Sequence, residues 1–389
     1  MSAEQRIPVP DRRGGGAIPP APIGVPVQKR TPRHVVILSS NLASGTLDPM
    51  VPMPAGQAST IHAGADAPTP ERRTTRVVAW TALAINVGVI LWGAVVRATG
   101  SGAGCGNHWP LCNGEVLPTG AGVTTLIEFS HRVTSGIALL GTVALVVQAW
   151  RAYPAGHRVR LGATLAAITI IVESLLGAGL VLLELVAQDR SLARGWWVGA
   201  HLVNTLALLS AFTATAVWST GTGASHRPRD PSRMRLLAAV AFALVAIAVT
   251  GATGAITALG DTLFPAATLA EGLAQKAAVD SHPFVRMRIW HPVIAITAAA
   301  ALAASGRALA SASGSRRGRQ LADAVALACL VQVAAGALNV LLLAPVWMQL
   351  VHLAVADAIW IGSTWMVLEC LAAGEATEGD LVAMRPPGG

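Results

Sequence analysis

Eight long apolar segments dominate this sequence and limit the folds open to it. Each is close to or longer than the ~20 residues that an α-helix needs to cross the hydrocarbon core of a bilayer. Because lipid offers the backbone no hydrogen-bond partners, such segments cross as helices. The sequence therefore predicts an all-α membrane protein with eight transmembrane helices, at roughly 75–97, 126–150, 160–186, 196–219, 235–258, 286–306, 320–344 and 347–372.

Charged residues are few and unevenly placed. Only 12% of the 389 residues are charged, whereas an ordinary soluble domain has about a quarter. Arginines precede the first segment and fill alternate loops, which by the positive-inside rule places these loops and both termini in the cytoplasm. The net charge of +8 thus reflects membrane anchoring and argues against a nucleic-acid partner. The arginines are Arg72, Arg73, Arg76, Arg151, Arg158, Arg160, Arg227, Arg229, Arg233, Arg235, Arg307, Arg316, Arg317 and Arg319.

The two halves of the apolar region resemble each other. Four stretches of the first half each match one in the second. The pairs are GAVVRAT (93–99) with GATGAIT (251–257), SHRVTSGIALL (130–140) with WHPVIAITAAA (290–300), VESLLGAGLVLL (172–183) with VQVAAGALNVLL (331–342), and GAHLVNTLALLS (199–210) with LVHLAVADAIWI (350–361). The offsets are 158, 160, 159 and 151 residues. Near-constant offsets indicate a repeat, and four segments per half keep both halves in one orientation. We therefore expect two tandem four-helix bundles related by pseudo-two-fold symmetry.

This repeat sets the predicted domain boundaries. Residues 1–72 are rich in Pro, Gly and Arg and lack periodicity, which predicts a disordered cytoplasmic tail. We expect the first bundle at 73–220, a cytoplasmic linker at 221–234, the second bundle at 235–373 and a cytoplasmic C-terminal tail at 374–389.

Four histidines occupy matched positions in this arrangement. His131, His201, His291 and His352 each lie about five residues into segments two, four, six and eight, all of which enter from the outer side. At 1.5 Å per residue, each is roughly 8 Å below the outer boundary. Intramembrane ionisable side chains are usually functional, and imidazole is a common axial ligand of haem iron. The sequence thus predicts two haem sites, one per bundle. Unrelated polar residues or a zinc site are the alternatives, and zinc favours closer Cys and His clusters.

An acidic residue distinguishes the first histidine pair. Glu128 precedes His131 by three residues, so both side chains leave nearly the same helix face. Arg288 takes the corresponding place before His291. Glu128 is either a proton donor or acceptor or a glutamate that stabilises a helix N-terminus, and the asymmetry between the halves favours the functional role. Glu173, matched by Gln332, either bonds across its bundle or relays protons, with the structural role preferred.

Two cysteines lie in the first outer loop, within GSGAGCGNHWPLCNG (100–114). The outer face is oxidising, so a disulfide between Cys105 and Cys112 is permitted. Their spacing is not C-x-x-C and no second pair accompanies them. A disulfide, structural or redox-sensitive, is favoured over a redox-active thiol pair or a metal site. No strand precedes the glycines, which excludes a dinucleotide-binding fingerprint, and they predict a loop folded closely over the first bundle.

Together these motifs resemble the haem A synthase family. The resemblance covers roughly residues 75–372. This chain reads C-G-N-H-W-P-L-C where the family commonly has C-P-x-W-P-x-C, so the detailed loop conformation is left open. The matching motifs are GAVVRATGSGAGCGNHWPLCNG (93–114), EFSHR (128–132), GAHLVNT (199–205), WHP (290–292) and VHL (351–353).

The resemblance implies a haem-modifying oxidoreductase of the bacterial cell membrane. Such proteins oxidise a ring methyl of haem O to a formyl group, giving haem A for terminal oxidase assembly. By the resemblance, His131 and His201 bracket the substrate haem O, Glu128 is catalytic, and His291 and His352 hold haem b. The outer-loop cysteines correspond to the family's pair, Cys105 and Cys112.

The resemblance also implies binding partners, and the histidines leave two alternative functions open. The expected partners are haem O and haem A, an electron donor, membrane lipid, haem O synthase and terminal oxidase assembly factors. A diheme b-type electron-transfer cytochrome without substrate chemistry also explains the four histidines, but it leaves Glu128 unexplained. A haem transporter or chaperone is the third class considered.

Overall fold

The computed structural model describes residues 69–222 and 231–373. Within these ranges the chain is helical, with nine α-helices, one 3-10 turn (Ser101–Ala103) and an isolated bridge between Cys112 and Glu115. The α-helices are α1 (Pro70–Ala98), α2 (Val123–Ala152), α3 (Arg158–Leu182), α4 (Leu192–Trp218), α5 (Pro231–Leu263), α6 (Leu269–Ala277), α7 (Pro283–Ser313), α8 (Arg316–Leu341) and α9 (Val346–Ala372).

All of these helices except α6 are long and apolar enough to span a membrane. The predicted all-α membrane fold with eight spans is therefore confirmed, and the protein is an integral multi-pass membrane protein. The pseudo-two-fold relation between its halves stays a prediction.

Two helices begin slightly earlier than the predicted bundle boundaries at 73 and 235. Helix α1 starts at Pro70, and the side chain of Thr69 caps it by accepting from the backbone N–H of Arg72. Helix α5 starts at Pro231. Proline is favoured in the first helical turn because its missing N–H has no intrahelical partner there. The predicted C-terminal tail and most of the predicted N-terminal tail and linker lie outside the described residues.

Helices α3 and α8 end a few residues before the apolar segments from which they were predicted. The predicted spans run to 186 and 344, whereas the helices end at Leu182 and Leu341. Glu184 and Leu343 adopt left-handed backbone angles, with φ of 57° and 61°. In each case the next residue donates its N–H five positions back, at 2.9 Å and 2.7 Å, which is the hydrogen bond of a Schellman ending. Both halves thus use the same ending at corresponding positions, without the usual glycine.

Helix α6 lies in the loop between α5 and α7 and was not predicted. Thr268 caps it by accepting from the Glu271 N–H at 3.1 Å, and the Glu271 carboxylate accepts from the Ala267 N–H at 2.8 Å. The T-x-x-E pattern of a capping box was the sequence signal for this helix.

The first four helices form a ring, and the later helices pack against one side of it. Each of α1–α4 contacts the next, and α4 also contacts α1. In the second half α7 packs on α5 and α8, and α9 packs on α8 and α7. The two halves meet where α1 and α4 face α5 and α9. Trp360 of α9 fixes this junction, because its indole N–H donates to Leu206 O at 2.7 Å and to Ser210 Oγ at 2.8 Å on α4.

Helix α4 is the innermost span. Buried residues make up 61% of its most apolar stretch, against 28% or less in the other spans. Its core side chains include Leu208, Leu209 and Phe212, all almost fully enclosed. His201 is therefore carried by the span that is most enclosed by other helices.

Candidate functional site

The first histidine pair lies in the ring of α1–α4. His131 of α2 and His201 of α4 are both half-buried and are close enough to interact electrostatically. The edge of the His131 ring packs directly on α1, where a Cβ at Gly93 would lie 3.0 Å from its Cε1. The close packing shows that the ring position depends on glycine at this place.

The second pair has a similar setting. His291 of α7 and His352 of α9 are half-buried and interact electrostatically. A Cβ at Gly254 of α5 would lie 2.9 Å from His291 Cε1, and one at Gly336 of α8 would lie 3.1 Å from His352 Cε1. The structure therefore places one predicted pair in each half of the protein.

Polar neighbours of these rings differ between the halves. Nδ1 of His201 is 3.4 Å from Oε1 of Glu173. In the second half, Nε2 of His352 is 3.3 Å from the amide nitrogen of Gln332, the residue that matches Glu173 in the repeat. Nδ1 of His291 is 3.3 Å from Thr253 Oγ1. Glu173 and Gln332 thus contact the later histidine of their own half.

The donor set fits a haem bound between two helices. Nδ1 of His131, of His201 and of His352 is buried and has no hydrogen-bond partner among the described residues, although Oε1 of Glu173 lies 3.4 Å from that of His201. Buried polar atoms normally have one, so these imidazoles suit a further bound group. Across residues 69–222 and 231–373, no three His, Cys, Asp or Glu side chains cluster as a metal site, which disfavours a zinc-type centre. Ligation through Nε2 of His352 would displace the amide of Gln332.

Glu128 is a buried residue that holds the cysteine loop, the part of the α1–α2 connection that contains Cys105 and Cys112. Its side chain accepts the Cys105 backbone N–H at Oε2, at 2.8 Å, and Arg132 pairs with its other oxygen. Only 3% of Glu128 is exposed. The carboxylate therefore lies one turn before His131 on α2, against the cysteine loop.

The cysteine loop is closed and fastened to α2. Cys105 and Cys112 form the predicted disulfide, and both are buried. Nη1 of Arg132 donates to the carbonyls of His108 and Leu111 inside the loop, at 2.7 Å and 2.6 Å. Arg132 therefore joins the loop to Glu128. The sequence motif contained this arginine, but its role was not predicted.

Arg288 occupies the place of Glu128 in the second half, and it also fastens a loop to the helices. Its Nε is 2.6 Å from Asp261 Oδ1. Its Nη2 donates to the carbonyls of Gly260 and Phe264, and its Nη1 donates to Gln275 of α6 at 2.9 Å. Each half thus uses an arginine and a carboxylate to fasten the loop between its first two membrane spans. Only the first half carries the carboxylate on the same helix turn as a site histidine.

Arg97 joins the two halves near both histidine pairs. Its Nη1 donates to Ala258 O at 2.9 Å and to Thr262 Oγ1 at 3.2 Å on α5. Its Nη2 donates to Gln349 Oε1 at 2.8 Å on α9, three residues before His352. Arg97 is also one turn beyond Gly93, the residue that contacts His131. This connection was not predicted, because it depends on how the halves meet.

Two other histidines serve as helix caps. Nδ1 of His157 accepts the Val159 N–H at the start of α3, and Nδ1 of His282 accepts the Phe284 N–H at the start of α7, both at 3.2 Å. Their ring nitrogens are therefore engaged in local structure. Neither lies with the paired histidines inside the bundles.

These features define the class of protein. It is a polytopic helical membrane protein with a histidine pair in each half and a disulfide-closed loop over the first pair. The family described as cytochrome oxidase assembly protein, COX15-CtaA, matches residues 76–364. The chain belongs to this family, which confirms the resemblance to haem A synthases.

Comparison with curated proteins shows two kinds of relative. A protein of Thermus thermophilus named protoheme IX farnesyltransferase is 44% identical over 319 residues, which cover 80% of this chain and 51% of that protein. The heme A synthase of Halalkalibacterium halodurans is 45% identical over 93 residues, or 24% of this chain and 31% of that protein. The heme A synthase of Bacillus mycoides is 38% identical over 109 residues, or 27% and 35%. The chain spans about half the length of the Thermus relative.

Proposed function

We propose that this protein is a haem A synthase, which oxidises one ring methyl of haem O to a formyl group. The observation that carries the proposal is a matched histidine pair in each half, of which only the first has a carboxylate one turn away. The family match and the relatives named heme A synthase support it. The product would serve terminal oxidase assembly.

Each half would bind a different haem. His131 and His201 would hold haem O in the first bundle, residues 73–220. His291 and His352 would hold haem b in the second bundle, residues 235–373. Haem b, when bound, supplies one-electron transfer, while the protein orients and tunes it.

Glu128 would act on protons during the oxidation. Converting a methyl group to a formyl group is a four-electron oxidation that needs an external oxidant; with dioxygen it balances as R–CH3 + O2 → R–CHO + H2O. Two C–H bonds break at the methyl carbon, so a nearby group has to accept and pass on protons. Glu128 is buried one turn from His131, and its carboxylate is the nearest acidic group on that helix. A positioned general base of this kind typically contributes 10²–10⁴-fold to a rate.

The cysteine loop would cover the reacting group. The disulfide closes the loop, and Arg132 and Glu128 fasten it to α2. Excluding water strengthens electrostatic interactions in a site and prevents side reactions. The loop would therefore protect partly oxidised haem.

Partners and orientation are part of the proposal. The name of the Thermus relatives describes farnesyl transfer to protohaem IX, a reaction that would supply haem O, and we propose a haem O synthase as a partner. Terminal oxidase assembly factors and an electron donor are further partners. The arginine-rich loops would lie in the bacterial cytoplasm with both termini.

The test is the haem content of cells that make haem O but lack a haem A synthase. Expression of this chain should convert most extracted haem O to haem A, as measured by chromatography with mass detection. A diheme electron carrier would leave haem O unchanged and add haem b only. In cells lacking haem O, appearance of haem O from protohaem would indicate farnesyl transfer instead. Either of these last results would contradict the proposal.

A further inference from the structure

Glu173 is an intramembrane carboxylate beside a site histidine. Its side chain is only 18% exposed, and Oε1 lies 3.4 Å from Nδ1 of His201. Carboxylates inside a membrane are costly and seldom occur without a function. Glu128 lies on a different helix, so the first site has two acidic residues with separate surroundings.

The carboxylate of Glu173 is fixed by the helix that carries His201. Asn204 Nδ2 donates to Oε2 of Glu173 at 2.6 Å and also to Thr169 O at 2.9 Å. The Thr205 hydroxyl donates to Oε1 of Glu173. Because both donors follow His201 on α4, the carboxylate is held at a set position relative to the imidazole.

His201 lacks the glycine contact that positions the other three rings. His131, His291 and His352 each pack on a glycine of a neighbouring helix. Gly177 matches Gly336 in the repeat, but a Cβ at Gly177 would meet nothing within 4 Å. The orientation of His201 therefore needs another determinant.

We infer that Glu173 is a positioning residue that orients His201 and strengthens it as an iron ligand. The carboxylate attracts the proton to Nδ1, which leaves Nε2, across the ring, to bind iron. A carboxylate partner at the second nitrogen raises the basicity of a ligating imidazole, and a more basic ligand stabilises ferric iron. This inference rests on the proposed binding of haem by His201.

The second half has a neutral group at the matched position. Gln332 contacts the other ring nitrogen, Nε2 of His352, through its amide. Neither the negative charge nor the contact at Nδ1 is reproduced there. We therefore expect the haem of the first half to have the lower midpoint potential.

Glu173→Gln tests the inference, because it removes the charge while keeping the side-chain length. The probe is purified full-length protein loaded with haem O, titrated for redox potential by visible spectroscopy. The midpoint potential of haem O should rise in the variant, and that of haem b should not change. If Glu173→Gln weakens folding, Glu173→Asp serves as a second variant, and it should keep the potential closer to that of wild type.

Matched variants separate this role from a general packing effect. Glu184→Gln removes a carboxylate from the outer end of the same segment, where it accepts from Asn107, and should leave both potentials unchanged. Gly177→Ala should change neither potential nor spectrum, whereas Gly336→Ala should alter the spectrum of haem b. An unchanged haem O potential in a fully loaded Glu173→Gln variant overturns the inference. Failure of the wild-type protein to bind haem would instead overturn the proposed function.

Discussion

Glu128→Gln should lower haem A output by about 100-fold or more, because a positioned acid or base contributes 10²–10⁴-fold. The glutamine keeps an oxygen that can accept the Cys105 N–H, but it cannot take up a proton as the carboxylate does. Haem O should accumulate, and haem b should stay bound in the second half. The measurement is chromatography of haems from cells that express the variant at the wild-type level.

The structure gives Glu128 a second role, which the experiment must distinguish from proton transfer. Glu128 also anchors the cysteine loop through Cys105 and Arg132. Arg132→Lys keeps a positive partner for the carboxylate but lacks the planar guanidinium, which pairs with Glu128 through Nε and Nη2 while Nη1 donates to both loop carbonyls. We expect a loss of less than about 10-fold for Arg132→Lys, since general acid–base chemistry is retained. An equal loss in both variants would mean that Glu128 acts only as a loop anchor. Glu184→Gln is the control, because it removes another carboxylate that contacts the cysteine loop while keeping an oxygen that can accept from Asn107.

His291→Leu should abolish haem b binding while leaving the first site able to bind haem O. His131→Leu should have the opposite effect, because each pair lies in a different half. Leucine keeps an apolar side chain of similar size at each place, so the helices still pack. The measurement is the amount of each haem extracted per mole of purified protein. His157→Leu, which removes the cap at the start of α3, away from the four paired histidines, should retain both haems. Loss of both haems in either single variant would contradict two separate sites.

The spans could be predicted from sequence because apolar length is a direct requirement of the bilayer. Their ends were harder to locate, since apolar residues continue past the helix. Glu184 and Leu343 take left-handed conformations without the glycine that normally marks such an ending. Helix α6 was missed because it is short, although Thr268 and Glu271 form its capping box.

The spacing in the sequence singles out the four histidines, whose role as iron ligands stays a prediction, but it does not reveal their surroundings. Equal depth in four segments needs only the sequence and the rise of a helix. The fastening of the cysteine loop by Arg132, and the inter-half bonds of Arg97, depend on how loops and helices return to one another. The contact between Glu173 and His201 likewise joins neighbouring helices through side-chain rotamers. Such contacts arise in tertiary packing and leave no periodic signal.

The contacts in the structure change the interpretation of the exchange between Glu128 and Arg288. The sequence shows an exchange of charge at matched positions. The structure shows that each half has an arginine and a carboxylate at the loop between its first two spans, with Asp261 supplying the carboxylate in the second half. What differs is where the carboxylate lies relative to the site histidine. That difference supports chemistry in the first half and a resident haem in the second.

The central claim is that two pairs of imidazoles bind two haems, and electron paramagnetic resonance of the ferric protein tests it most directly. Purified wild-type protein, supplied with haem O, should contain two haems per chain, both low-spin with two imidazole ligands. His131→Leu and His291→Leu should each remove one of the two low-spin signals. A protein that stays colourless under these conditions, or whose signals survive both substitutions, would contradict the account.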